Sequence, residues 1–130
     1  MASIFTKIIN REIPGHIVHE DDRHIAILDI NPNTKGHTLC IPKEEVDRIF
    51  DLSEEAYLDL MAFSRTVAIA LEKAVPCERI GVSVIGLEVP HVHVHLLPLQ
   101  SMEDARFINK ASLTSDDFKQ LIQDIKAHLA

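Results

Sequence analysis

A chain of 130 residues, 46% hydrophobic and 25% charged, has the composition of one globular domain rather than a disordered or fibrous protein. Thirteen basic against 20 acidic residues give a formal charge of −7, which argues against a grip on nucleic-acid phosphates. No apolar run approaches the roughly 18 residues of a membrane span, Met1–Asn10 lacks the apolar core of a secretory signal, and Cys40 and Cys77 are too few for a disulfide framework.

Ile4, Phe5, Ile8 and Ile9 fall at helical spacing, so Ser3–Asn10 is predicted as a helix capped by Ser3 and turned away by Pro14-Gly15. His16–Glu20 and His24–Ile30 are β-rich runs around the polar Asp21-Asp22-Arg23 and read as a hairpin. Asn31-Pro32-Asn33-Thr34-Lys35-Gly36 has turn chemistry, and His37–Ile41 is a third strand ended by Pro42. Ser53 followed by Glu54 and Glu55 opens a long helix whose stripe runs Tyr57, Leu60, Met61, Ser64, Val67, Ala68, Leu71 and Val75, with Pro76 as its stop. Arg79–Ile85 and His91–Leu97 are two further strands, joined by a loop containing Gly86 and Pro90. A last helix starts at the capping residues Thr114 and Ser115 and turns Phe118, Leu121, Ile122, Ile125 and Leu129 inward. Strands that do not alternate regularly with helices exclude a doubly wound sheet and point to an α+β fold with an antiparallel sheet.

The chemistry concentrates in His91-Val92-His93-Val94-His95-Leu96-Leu97-Pro98. In a strand, residues two apart share a face, so three imidazoles point one way while Val92, Val94 and Leu96 enter the core. Histidine is not a preferred strand residue, and three in register make a poor structural row. The isolated His16, His19, His24 and His128 need no functional account. Two uses of the row compete. Imidazole is a common zinc ligand, but His91 and His95 lie about 13 Å apart along an extended strand, so two neighbours could share an ion while all three could not readily do so. Alternatively the row faces a phosphate. Neutral imidazole attacks phosphorus, and protonated imidazole holds anionic oxygens or protonates a leaving group; both forms are accessible near neutral pH, and no metal is needed. No phosphate-binding G-x-x-x-x-G-K-[ST] loop, dinucleotide G-x-G-x-x-G or G-x-S-x-G elbow is present. Cys40, between Leu39 and Ile41, reads as a buried structural thiol, and Cys77 has no base beside it.

The run His91-Val92-His93-Val94-His95-Leu96-Leu97 resembles the His-φ-His-φ-His-φ-φ signature of the histidine triad (HIT) superfamily, φ being hydrophobic. Ser3-Ile4-Phe5-Thr6-Lys7-Ile8-Ile9, Glu12-Ile13-Pro14, Asp21-Asp22, Asp29-Ile30-Asn31-Pro32 and Gly36-His37-Thr38-Leu39-Cys40-Ile41-Pro42-Lys43 resemble segments of its HINT branch of nucleotide-binding hydrolases. The resemblance covers roughly residues 3–98 of a single domain spanning 1–130, with the helix at about 114–129 beyond the usual core.

It implies a five-stranded antiparallel sheet with helices packed against it. His93 would be the nucleophile that forms a nucleotidyl-histidine. His91 would orient it, His95 would meet the phosphate or the leaving group, and His37 would stand beside the triad. Asp29 would hold the ribose hydroxyls, and Phe5, Ile8, Ile27, Leu28 and Ile30 would line a purine pocket. Gly86, Glu88 and Val89 would border the phosphate. The sequence departs from the family there, since Leu87 replaces a glutamine and Glu88 a small hydroxyl residue, and a carboxylate at that place would repel phosphate. Some relatives hold zinc on N-terminal cysteines; Ser3 and Thr6 occupy those positions here, so no such zinc and no cofactor is expected. The implied activity is hydrolysis of purine nucleoside phosphoramidates and related adenosine monophosphate conjugates by a cytoplasmic homodimer, with no nucleic-acid polymer and no membrane as partner. A nucleotide-binding regulator with little turnover and a histidine-based metal-binding module are the alternatives.

Overall fold

The computed structural model describes residues 2–129, and in it the chain runs α1 (Ile4–Ile9), β1 (Ile17–Glu20), β2 (His24–Leu28), β3 (Thr38–Pro42), α2 (Glu54–Ala74), β4 (Arg79–Ser83), β5 (Val94–Leu99) and α3 (Ser115–Ala127). Short 3₁₀ turns at Ile49–Asp51 and Met102–Ala105 bend the connections. The helix starts are set by the side chains that sequence picks out. Ser3 Oγ accepts the Thr6 N–H at 3.0 Å, and Ser53 Oγ accepts that of Ala56 at 3.1 Å. Thr114 and Asp117 exchange bonds in a capping box at α3.

The five strands form one antiparallel sheet in the order β1-β2-β3-β5-β4, which is the predicted α+β class. Strand alternation divides the apolar residues between its two faces. Ala26, Leu28, Cys40, Val94 and Leu96 pack with Leu60, Val67 and Leu71 of α2 and with Phe118, Leu121 and Ile125 of α3. Ile25, Ile27, Leu39 and Ile41 face the other way and bury Phe5 and Ile8 of α1. The fold is therefore two helices, a sheet and a short helix in three layers, and α3 is part of the main core. No helix among the described residues is long and apolar enough to cross a membrane.

β1 and β3 differ from the predicted ranges by one residue at an end, and the other three strands by two or three. β2 stops at Leu28 because the Asp29 carboxylate accepts the Asn31 N–H at 2.8 Å and turns the chain. β4 stops at Ser83, opposite His95, where its partner strand has only just begun. The triad is only partly strand: β5 begins at Val94, and Pro98 lies inside it opposite Ile80. Before it, the Val92 N–H bonds the Val46 carbonyl at 2.8 Å and the His91 N–H bonds the Val89 carbonyl at 2.8 Å, so this stretch is held by loops rather than by a sheet ladder. The alternation survives without the ladder, since Val92, Val94 and Leu96 all enter the α2 core. Cys40 is fully buried, and burial pushes its thiol up to about 12, in keeping with an inert structural role. His24 is also buried, and Asp21 lies 3.0 Å from its Nδ1.

Candidate active site

Gly36 brings the fourth histidine to the triad. It adopts φ +96° where a Cβ would lie 3.0 Å from Val75 and 3.2 Å from Pro98, so glycine suits both the backbone and the space. The next residue, His37, is buried against His95, with ring centroids 5.2 Å apart. His93 and His95 follow at 4.9 Å, and Phe5 of α1 meets the rings of His91 at 5.8 Å and His93 at 5.0 Å. All four imidazoles are thus buried in one row.

Their hydrogen-bond partners determine which nitrogen carries each proton. His91 places Nε2 at 2.8 Å from the Pro42 carbonyl, which only accepts, so Nε2 is protonated. Its Nδ1 then accepts the Ser3 hydroxyl at 2.6 Å. His93 places Nδ1 at 2.7 Å from the His91 carbonyl, so Nδ1 carries the proton and Nε2 keeps a lone pair. His37 Nδ1 accepts the backbone N–H of Asn33 at 3.0 Å, so its Nε2 is protonated and donates to His95 Nδ1 at 2.9 Å. His95 is left with its proton on Nε2. The row therefore presents an imidazole lone pair on His93 beside an imidazole N–H on His95.

Burial keeps His37, His95 and His91 neutral. His37 is pushed down to about 3 by desolvation and then by His95, and His95 to about 4 by desolvation and then by His93 and Lys110. His91 is also lowered, because desolvation outweighs the Pro42 carbonyl and Glu45. Asp29 is raised by desolvation against the opposing effects of the Asn31 N–H, Lys110 and His93. Its Oδ2 lies 3.6 Å from His37 Nε2, too far for a good hydrogen bond and no ion pair with a neutral ring.

Asp29, His37 and His95 bring ligand atoms within 4.8 Å of one another, the spacing of a metal site. The hydrogen bonds oppose that use. With Asn33 donating to Nδ1, neutral His37 has its proton on Nε2, the nitrogen that would have to ligate. The donor set fits a proton relay better than a metal centre.

The structure brings His91, His93, His95, His37 and Asp29 together. Phe5, Ile8 and Ile27 form one apolar wall, and Val89 packs against it. Leu28 does not join them. Its side chain lies on the opposite sheet face in the α2 core, because it alternates with Ile27. Ile30 is 75% exposed beyond the end of β2. Gly86 makes a turn at φ +72°, and Glu88 is exposed on that loop, where its charge raises Asp29.

Sequence reasoning missed two groups of residues. Glu45 accepts the Ser3 N–H at 2.7 Å and the Thr6 hydroxyl at 2.6 Å, tying α1 and, through Ser3, His91 to the loop after β3. Phe107 lies edge-on to His95 at 4.9 Å and to His37 at 6.0 Å. Neither group has a periodic signal, since both sit in irregular segments far from the triad in sequence.

This arrangement has close counterparts. The family model described as HIT domain matches residues 10–102. An uncharacterised HIT-like protein of Borreliella burgdorferi is 33% identical over 97% of this chain and 97% of its own. An adenosine 5'-monophosphoramidase of Schizosaccharomyces pombe is 30% identical over 99% of each chain. Among solved structures, a HIT-like protein involved in cell-cycle regulation from Bartonella henselae superposes with a TM-score of 0.85 at 30% identity, over 98% of this chain and 96% of that one. Four buried histidines beside a five-stranded sheet, the matching family model and full-length relatives lead to one assignment: the chain belongs to the HIT domain family.

Proposed function

We propose that this protein is a metal-independent nucleotide hydrolase of the histidine triad type, cleaving adenosine monophosphate conjugates such as phosphoramidates through a nucleotidyl-His93 intermediate. The observation that carries this reading is the His93 tautomer: its Nδ1–H is held by the His91 carbonyl, so the Nε2 lone pair is available to a phosphorus atom. Relatives named adenosine 5'-monophosphoramidase, from S. pombe and from Saccharomyces cerevisiae, support the substrate class.

In this mechanism His93 Nε2 attacks the α-phosphorus. The P–N bond to the leaving amine breaks, and the leaving nitrogen takes its proton from solvent. The His91 carbonyl steadies the charge that develops on the His93 ring. His95 Nε2–H donates to a phosphoryl oxygen or to the leaving group, and His37 keeps that proton aimed by occupying Nδ1. Water then attacks phosphorus, breaks the P–Nε2 bond and releases the monophosphate. Phe5, Ile8 and Ile27 form the apolar wall for the base, with Ile30 at the rim, and Asp29 accepts from ribose hydroxyls. Gly86, Glu88 and Val89 border the phosphate. Mixing the protein with labelled adenosine phosphoramidate and quenching within one turnover should yield an acid-labile adenylate on His93. Turnover with no label on any histidine would refute the covalent route.

The same reading includes a homodimer in the cytoplasm. Cys40 and Cys77 are free thiols, which suits a reducing compartment. β4 is an edge strand, and Val82 and Ile85 on or beside it are 57% and 48% exposed. Such an edge needs cover, and pairing with a second copy is the commonest cover. Sedimentation should give a species of twice 14.6 kDa; a monomer at every concentration would contradict the dimer.

A further inference from the structure

The histidine row ends against an irregular segment, residues 101–113, that follows β5. This segment is strapped to the loop between β2 and β3. The Ala111 N–H bonds the Pro32 carbonyl at 2.8 Å, and the buried Asn33 donates its side-chain amide to the carbonyls of Asp104 at 3.2 Å and Arg106 at 3.3 Å. The amide oxygen of Asn33 accepts from Lys110 Nζ at 2.8 Å. The backbone N–H of the same residue sets the tautomer of His37. Lys110 Nζ also lies 5.1 Å from the centre of the Phe107 ring, whose edge meets His95.

The surroundings make this ammonium the missing charge of the pocket. His37 and His95 donate hydrogen bonds but are neutral near pH 7. Asp29 and Glu88 add negative potential, and the chain as a whole carries −7. An anionic phosphoryl group entering such a site is repelled unless a cation stands near it. Lys110 is a lysine whose charge acts on Asp29, His37 and His95 alike. Asn33 uses one of its three protons, and the exposed stem leaves the others free for an incoming oxygen.

We propose that Lys110 is a phosphate-binding residue: Asn33 and Phe107 hold its ammonium at the rim of the histidine pocket, where it receives the anionic phosphoryl group of a nucleotide. This rests on the nucleotide reading above. The test is a titration of wild type, Lys110→Gln and Lys110→Arg with adenosine monophosphate and with adenosine, at low and high salt. Losing one charge-assisted hydrogen bond should weaken adenosine monophosphate binding by about ten-fold in Lys110→Gln. Adenosine, which has no phosphate, should bind both proteins alike, and Lys110→Arg should recover most of the lost affinity. Salt should weaken monophosphate binding more steeply in wild type than in Lys110→Gln. Unchanged monophosphate affinity in Lys110→Gln would overturn the proposal. So would a parallel loss of both ligands, which would make Lys110 a packing residue of the strap. Wild type that binds neither ligand would instead refute the nucleotide reading itself.

Discussion

His93→Ala should abolish turnover of an adenosine phosphoramidate, lowering kcat by roughly 10³-fold or more. The variant removes the attacking nitrogen itself, whereas the other three histidines act around it. The effect should be confined to chemistry. The ring of His93 touches Phe5 and His95, and its only hydrogen bond among the described residues runs to the neighbouring His91 carbonyl, so no distant part of the fold hangs on it. Truncating it leaves that buried carbonyl without its partner, at a stability cost of about 1–3 kcal/mol. Circular dichroism should therefore show a folded chain, and nucleotide should still bind the apolar wall. His91→Ala is the informative comparison. It keeps the nucleophile and its backbone carbonyl partner but cuts the tie to Ser3 and Pro42, and should slow the reaction less. A His93→Ala protein with wild-type kcat would place the nucleophile elsewhere.

Stability should fall steeply as pH is lowered from about 6.5 towards 4. His37 has a folded value of about 3 against a reference of 6.5, and its side chain is fully buried. Within that window the unfolded chain binds a proton that the folded protein excludes, so acid favours unfolding. The contribution is whole above about pH 6.5 and is lost progressively down to about pH 3. At about 1.36 kcal/mol per unit it is of the order of 5 kcal/mol for His37. His95, at about 4, acts in the same direction. Asp29 acts the other way, since a carboxyl raised by burial is favoured in the fold as acid protonates it. The lowered carboxylates Glu20, Asp21, Glu45 and Asp117 begin to weaken only near their own reference values of 4.5 and 3.8, so the upper half of the window belongs to the histidines. Urea midpoints measured from pH 7.5 to 4.5 should drop with pH in wild type and less steeply in His37→Gln, where His95 still resists protonation. Midpoints flat across that range would mean that the row is hydrated and protonates freely in the folded state.

Local patterns in the sequence determined a good part of this molecule. Ser3, Ser53 and Thr114 cap helices because a hydroxyl satisfies the nearest free backbone N–H, a matter of three residues' distance. The alternation in β2 and β3 assigns Ile25, Ile27, Leu39 and Ile41 to one face, and the triad with its neighbours pointed to the family from residue types and order alone. Tertiary structure decided what local pattern cannot carry. Whether His91 and His93 belong to a strand depended on the partner available, and the partner proved to be the loop at Val46. The proton positions on the four histidines depend on Ser3, Asn33 and Pro42, residues brought to the row only by folding. Phe107 and Lys110 reach the row through an irregular strap whose path is set by hydrogen bonds to Pro32 and Asn33, and such bonds leave no period in the sequence. The reactive residue types were legible one by one; their protonation states and the charge that faces a ligand are properties of the packed whole.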